Sequence, residues 1–413
     1  MTMPCRPFSA LFPVARVLTV LAVALVSGPT SAQAWQSAPA MSTPRMGAAW
    51  AVLDGRLYVM GGQGPGGALL SSGEVFDPAT GWSPIAGLRG ARDGAKAVVL
   101  NGRIYLMGGR DEDGAEDDVD VYLPSQNRWE SFDHMEEERD GLAAGVVGGQ
   151  LYALAGASES GSLLTSCEAY DGDDWYEYTA WSVSPARALP GSVDFGGGLV
   201  VAGGFSTFGP LATVQRFTAG QAPSSLPALP SARGGLALAT DGAALFAVGG
   251  RDAADALLAS VDRLGPGATG WTGLTPLPEP REDAVAAVLG ADLYVVGGSE
   301  PFGSVLASAV RLPGAAVASD DGPASVVQTA LRLDGPNPTR GPVRLRFEAP
   351  DARPVRLVVI DVRGREVAVL ADGAVPTGPQ TAVWDASGLP GGVYAARLTT
   401  SAGTTAVRFV VVR

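Results

Sequence analysis

Short apolar runs recur along most of this chain, separated by turns rich in glycine, aspartate, asparagine and proline. The segments 48–62 (AAWAVLDGRLYVMGG) and 95–109 (AKAVVLNGRIYLMGG) show the unit most plainly. In each, two apolar runs flank Asp54-Gly55 or Asn101-Gly102, pairs that tolerate the positive φ of a tight hairpin. The second run ends on glycines: YVMGG (58–62), YLMGG (105–109), YALAG (152–156), VVAGG (200–204), FAVGG (246–250) and YVVGG (294–298). After a variable loop comes a third run, ending near EVFDP (74–78) or DVYLP (120–124), and then a fourth around Trp82 or Trp129. The period is 46 to 48 residues, and an arginine precedes each glycine pair at a near-constant interval: Arg45, Arg92, Arg139, Arg187, Arg233 and Arg281. Four short strands per unit at this period predict the blades of an all-β propeller, six of them, over residues 35–314.

The glycines are expected where neighbouring units approach too closely for a Cβ, with the aromatics and tryptophans filling the gaps between sheets. Trp35 stands ten residues before Arg45, the interval that also separates Trp82 from Arg92, Trp129 from Arg139 and Trp271 from Arg281. The sixth unit ends at VRLPG (310–314) without a tryptophan strand. Residues 35–42 are therefore expected to supply its fourth strand and close the ring, leaving no open sheet edge.

The arginine, the aromatic before the glycine doublet and the tryptophan ten residues before the next arginine together resemble the kelch repeat. The resemblance runs from about residue 35 to 314. Unit three departs from it with Ala155 in place of the first glycine, and unit four with Val200 in place of the aromatic.

Beyond this region the pattern changes. The small, polar stretch from Gly314 to Gln328 reads as a linker covering 315–328. Residues 329–413 then alternate apolar and polar positions between turn signals, which predicts a small β-sandwich of about seven strands. This tail resembles the type A sorting domain of type IX secretion substrates. The residues that carry the resemblance are Pro336-Asn337-Pro338 with Gly341, the segment Val359 to Val367, Trp384 to Leu389, Gly392-Val393-Tyr394 and the final RFVVVR. It implies that type IX machinery is a partner, recognising the tail and moving the protein from the periplasm to the cell surface or medium. At the other end, Arg6 and Arg16, the apolar run from Val17 to Val26 and Ser31-Ala32-Gln33-Ala34 form a secretory signal over residues 1–34. Cleavage is expected between Ala34 and Trp35.

Charge and composition narrow the chemistry. Residues 35–328 hold 35 acids against 16 bases, whereas 329–413 hold 7 against 11, so nucleic acid is an improbable partner for the main body. Lys96 is the only lysine. Once the signal with Cys5 is removed, Cys167 is left alone, so an internal disulfide cannot form, and the residue is expected as a buried small hydrophobe. His134 is the single histidine, in the acidic turn 133–140, so neither a multi-imidazole metal site nor a copper radical oxidase site with paired histidines can be built. No cofactor and no metal site is expected. The acidic loop 110–120 is expected to be solvated rather than to hold calcium.

The six arginines are the candidate ligand-binding residues. In kelch-like propellers this position lies at one mouth of the central channel, so the resemblance implies a ring of guanidinium groups able to clamp a carboxylate or sulfate. The competing expectation pairs each with a local acid, for which Asp93, Asp140, Glu282 and Asp283 are adjacent in sequence. The functional expectation is a non-enzymatic secreted or surface binding module for a glycan or protein, with no catalytic residue. The rival class is a sugar mutarotase acting on acidic sugars, with Glu282 or Glu138 moving the proton.

Overall fold

The structure, a computed structural model, describes residues 34–301 and 303–316. In the tail it describes 331–333, 339, 342–349, 354–361, 365–376, 378–386, 388, 390–400 and 403–412. The signal segment 1–33, residues 317–328 of the expected linker, and Pro336-Asn337-Pro338 with Gly341 lie outside the described residues.

Each repeat folds into one four-stranded antiparallel sheet, and there are six among residues 34–316. Sheet one runs Ala49–Leu53, Arg56–Met60, Gly73–Asp77 and Gly81–Ile85. The first strands of sheets two to six are Lys96–Leu100, Ala143–Val147, Gly191–Phe195, Ala237–Thr240 and Val285–Leu289. In sheet six the fourth strand is Gln36–Ala38, from the other end of the chain, paired with Ala309–Leu312 in the register Gln36↔Arg311 and Ala38↔Ala309. The Asp54-Gly55 and Asn101-Gly102 hairpins have φ of 51° and 73°, and 53° and 73°, the left-handed pair that a two-residue turn between twisted strands demands.

The first strands pack against one another in a closed circle, the sixth against the first. A backbone belt runs beside them. Gly94 N–H donates to Gly47 O, Gly141 to Gly94, Leu189 to Gly141, Gly235 to Leu189, Asp283 to Gly235, and Gly47 back to Asp283, at 2.8–3.2 Å. All six residues have positive φ, from 49° to 66°. Four are glycine; Leu189 and Asp283 accept the left-handed conformation, which costs a residue with a Cβ about 1 kcal/mol. The glycine doublets lock adjacent sheets. Gly62 N–H donates to Arg92 O at 2.8 Å, and Gly298 N–H to Arg45 O at 2.9 Å. A Cβ on Gly61 would lie 2.6 Å from Arg92 O, so the neighbouring sheet would have to give way; at the same position in sheet three Ala155 is accommodated, with φ of 58°.

Aromatic residues fill the rest of each interface. Tyr58 of sheet one meets Tyr122 of sheet two at 6.0 Å, and Tyr294 of sheet six meets Phe76 of sheet one at 5.4 Å. In four of the six sheets a tryptophan indole ties the sheet to the one before: Trp82 donates to Pro39 O at 2.8 Å, Trp129 to Ala86 O at 3.0 Å and Trp271 to Pro227 O at 2.8 Å. Trp35 does the same for sheet six, donating to Thr275 O at 3.0 Å.

In the tail, Arg332–Leu333, Val343–Ala349 and Gly378–Trp384 form a three-stranded sheet. Glu366–Ala374, Pro354–Asp361, Gly392–Thr400 and Gly403–Val411 form a four-stranded one. Alternate residues Leu345, Phe347, Leu357, Val359, Tyr394, Ala396 and Leu398 point into a shared core with Trp384 and Phe409. A β-sandwich results.

Candidate functional site: the arginine layer and the central channel

Arg45, Arg92, Arg139, Arg187, Arg233 and Arg281 are all buried, none more than 4% exposed. None of the six lines either of the two cavities described along the channel below. Each instead turns into its own repeat. Nη1 donates to the carbonyl sixteen residues on, at the first position of the doublet: Gly61, Gly108, Ala155, Gly203, Gly249 or Gly297. That carbonyl has no strand partner, which is what fixes an arginine at this position.

The acids that pair with them are not the ones adjacent in sequence. Arg45 meets Glu74 at 3.3 Å, Arg92 meets Asp120 at 3.4 Å, Arg139 meets Glu168 at 2.8 Å and Arg233 meets Asp262 at 2.7 Å, all on the third strand of the same sheet. Gln215 takes this place for Arg187, at 3.0 Å, and without a carboxylate burial pulls that guanidinium down to about 10. Arg281 has only the exposed Glu279, at 3.9 Å, and burial lowers its proton affinity too.

The adjacent acids go elsewhere. Asp140 pairs with Arg110 at 3.2 Å. Glu282 is held by Arg251 and accepts from Ser299 Oγ at 3.4 Å, so its carboxylate is occupied and the mutarotase reading loses that base. Asp93 is pushed up to about 6 by burial, with Asp140 adding to the effect.

The channel carries a different set of groups. A cavity of about 240 Å³ lies among the first strands, walled by Trp50, Val98, Val193 and Val288 and carrying Lys96, Ser192, Asp194 and Thr240. A second, of about 50 Å³, adjoins the backbone belt and is lined by Lys96 and Asp283 among others. Asp194 accepts from Val146 N–H at 2.9 Å; its side chain is open to the channel, and the surrounding strands strip away enough hydration to push it up to about 6. Asp283 is pushed up to about 7, mainly by burial, with Glu282 reinforcing and Lys96 opposing. Burial lowers the proton affinity of Lys96, against the pull of Asp283. Lys96, Asp194 and Asp283 stand at repeated positions where the other repeats carry no charge: Lys96 aligns with Ala49 and Ala143, Asp194 with Val52 and Val146, and Asp283 with Gly47 and Gly94.

His134 is exposed at the end of the strand Arg128–His134, with Nδ1 3.2 Å from Asp133, whose hydrogen bond raises its proton affinity. In the 110–120 loop, Asp111 accepts from the backbone of Asp113 and Gly114 at 2.7 and 3.1 Å, and no group of three or more metal-ligating side chains is assembled among the described residues. Cys167 is buried in the strand Cys167–Tyr170, where its thiol is pushed up to about 12 by burial.

Residues 44–88 and 91–135 match the model of the Kelch motif, and residues 336–412 match that of the Secretion system C-terminal sorting domain. A solved structure described as "Structure of YjhT" has the same propeller fold. It aligns at 16% identity with a TM-score of 0.57, over 66% of this chain and 95% of that one. None of the curated proteins matches the chain. The chain has a propeller fold and carries Kelch motifs in its first two repeats. It carries a type IX sorting domain, which marks it for export to the cell surface or medium and points to interaction with the secretion machinery. No helix among the described residues is long and apolar enough to cross a membrane.

Proposed function

We propose that the propeller acts outside the cell as a binding module, presenting the loops between its second and third strands to a glycan or protein partner. The observation that supports this is Phe208, whose side chain is fully exposed at the tip of the Phe205–Ser206 and Gly209–Pro210 hairpin. The tip is held in shape: Ser206 Oγ donates to Gly209 O at 2.8 Å and accepts from Phe208 N–H at 3.2 Å. A ring kept in water this way forgoes roughly 2 kcal/mol of burial. It offers a stacking face for a sugar or an anchor for a protein pocket. In this reading residues 1–34 are removed after Ala34, 35–314 form the binding propeller, 315–328 link it to the tail, and 329–413 are read by the export machinery.

The test takes residues 35–413 to a glycan array and to a panel of labelled surface proteins. Whatever binds is expected to bind at least ten-fold more weakly to Phe208→Ala, at unchanged melting temperature. Equal affinity in the two proteins overturns this face as the binding surface.

A further inference from the structure

Lys96 lies on the first strand of sheet two and lines both cavities of the channel. Its Nζ has one hydrogen-bond partner among the described residues, the Pro190 carbonyl, at a long 3.4 Å. An ammonium carries three donors, so as a cation this group is poorly served. The buried arginines do better: Arg139 alone makes six hydrogen bonds. Asp283 shares the smaller cavity with Lys96, and its backbone is fixed by the belt. The other charged groups around the pair are Asp93 and Asp140 with Arg110 beside the belt, Glu282 with Arg251 behind Asp283, and Asp194 further along the channel.

We propose that Lys96 is a carbonyl-binding amine: the channel admits a small aldehyde or ketone, which forms an imine with Nζ while Asp283 handles the proton. An anion is the wrong ligand here, because each cavity that Lys96 lines also carries a carboxyl group, Asp194 in the larger and Asp283 in the smaller. A neutral carbonyl compound meets an amine and a carboxyl group with no charge of its own to desolvate, and the apolar wall takes its carbon skeleton.

The step balances without an oxidant. The Nζ lone pair forms the C–N bond, the carbonyl π pair moves to oxygen, and that oxygen takes the Asp283 proton. The nitrogen returns a proton to the carboxylate. The carbinolamine then loses its hydroxyl as water, protonated again by Asp283, and the remaining N–H proton restores the acid. Amine plus carbonyl gives imine plus water. Burial favours both starting forms, the free amine of Lys96 and the protonated carboxyl of Asp283 near neutral pH. This inference does not depend on Phe208.

The chain suits a direct test, since Lys96 is its only lysine. Residues 35–413 are treated at pH 7 with propanal and cyanoborohydride, whose hydride traps the imine as a secondary amine, and peptide mass mapping follows the rate at Lys96. In a free lysine roughly one amine in 2,500 is neutral at pH 7. Lys96 is therefore expected to react at least ten-fold faster than Nα-acetyl-lysine amide in the same tube. Asp283→Asn, which keeps a residue tolerant of positive φ, is expected to slow it at least five-fold and to abolish the decline in rate above about pH 7. A Lys96 no faster than the free amine overturns the proposal on the unaltered protein alone. An Asp283→Asn rate and pH profile equal to those of the parent overturn the role of Asp283.

Discussion

The six repeated arginines and the single lysine are all enclosed by the same propeller, yet they are treated in opposite ways. Arg139 is surrounded: Glu168, Ala155 O, Ser166 and Glu137 take all three of its nitrogens. Lys96 faces an open cavity with one long hydrogen bond and apolar neighbours. The arginines answer a need that every repeat has, a carbonyl stranded where the doublet leaves the sheet. Lys96 answers no such need. A buried polar group that recurs with the repeat serves the fold, whereas one that breaks the repeat is where chemistry particular to this protein should be sought.

Arg139→Met would test the fold side of this contrast hardest. It leaves Glu168 buried without its partner, and the expected loss is about 3–5 kcal/mol in denaturant unfolding. Arg281→Met strands no buried carboxylate and gives up chiefly the bond to Gly297 O, so about 1–2 kcal/mol is expected. Equal losses would mean that the carbonyl, not the acid, sets the value of the arginine.

A pH titration sharpens the channel side. Folded Asp93 sits at about 6 and Asp283 at about 7, against about 3.9 for an unfolded aspartate. The folded state therefore holds these protons more tightly. Their stabilisation is complete below about pH 4 and fades as pH rises through 6 to 7. The melting temperature is expected to rise by a few degrees between pH 8 and pH 5, and by less in Asp93→Asn. A melting temperature that stays level or falls over that range would overturn the expectation that the folded state holds these protons. The smallest effect is expected from Lys96→Met, within about 1 kcal/mol of the parent, since a thioether suits the apolar wall. A loss above about 3 kcal/mol would place Lys96 with the arginines as a structural cation.

The expected proton partners show where a sequence misleads. Asp93, Asp140 and Glu282 each follow an arginine directly, and a residue one place along an extended backbone points away from its neighbour; Asp283, two places on, is turned aside by its positive φ in the belt. The true partners lie two strands on, where the sheet folds them back. They also recur, 28 or 29 residues after Arg45, Arg92, Arg139 and Arg233. Phe208 is legible only as one aromatic in a variable loop; its exposure comes from a hairpin too short to show a period.

The sequence by itself determined the repeat, its hairpins, its glycine contacts and the sandwich tail, because each follows from local spacing: turn residues at fixed offsets, alternation of period two, and positions where a Cβ cannot fit. The tail motifs also determined export, being read as sequence. Depth and direction were decided by the tertiary structure. Whether an arginine faces a channel or a carbonyl, and whether Lys96 meets Asp194 in one cavity and Asp283 in the next, depends on how six sheets converge on an axis. That convergence brings together residues nearly two hundred positions apart, and no spacing along the chain encodes it.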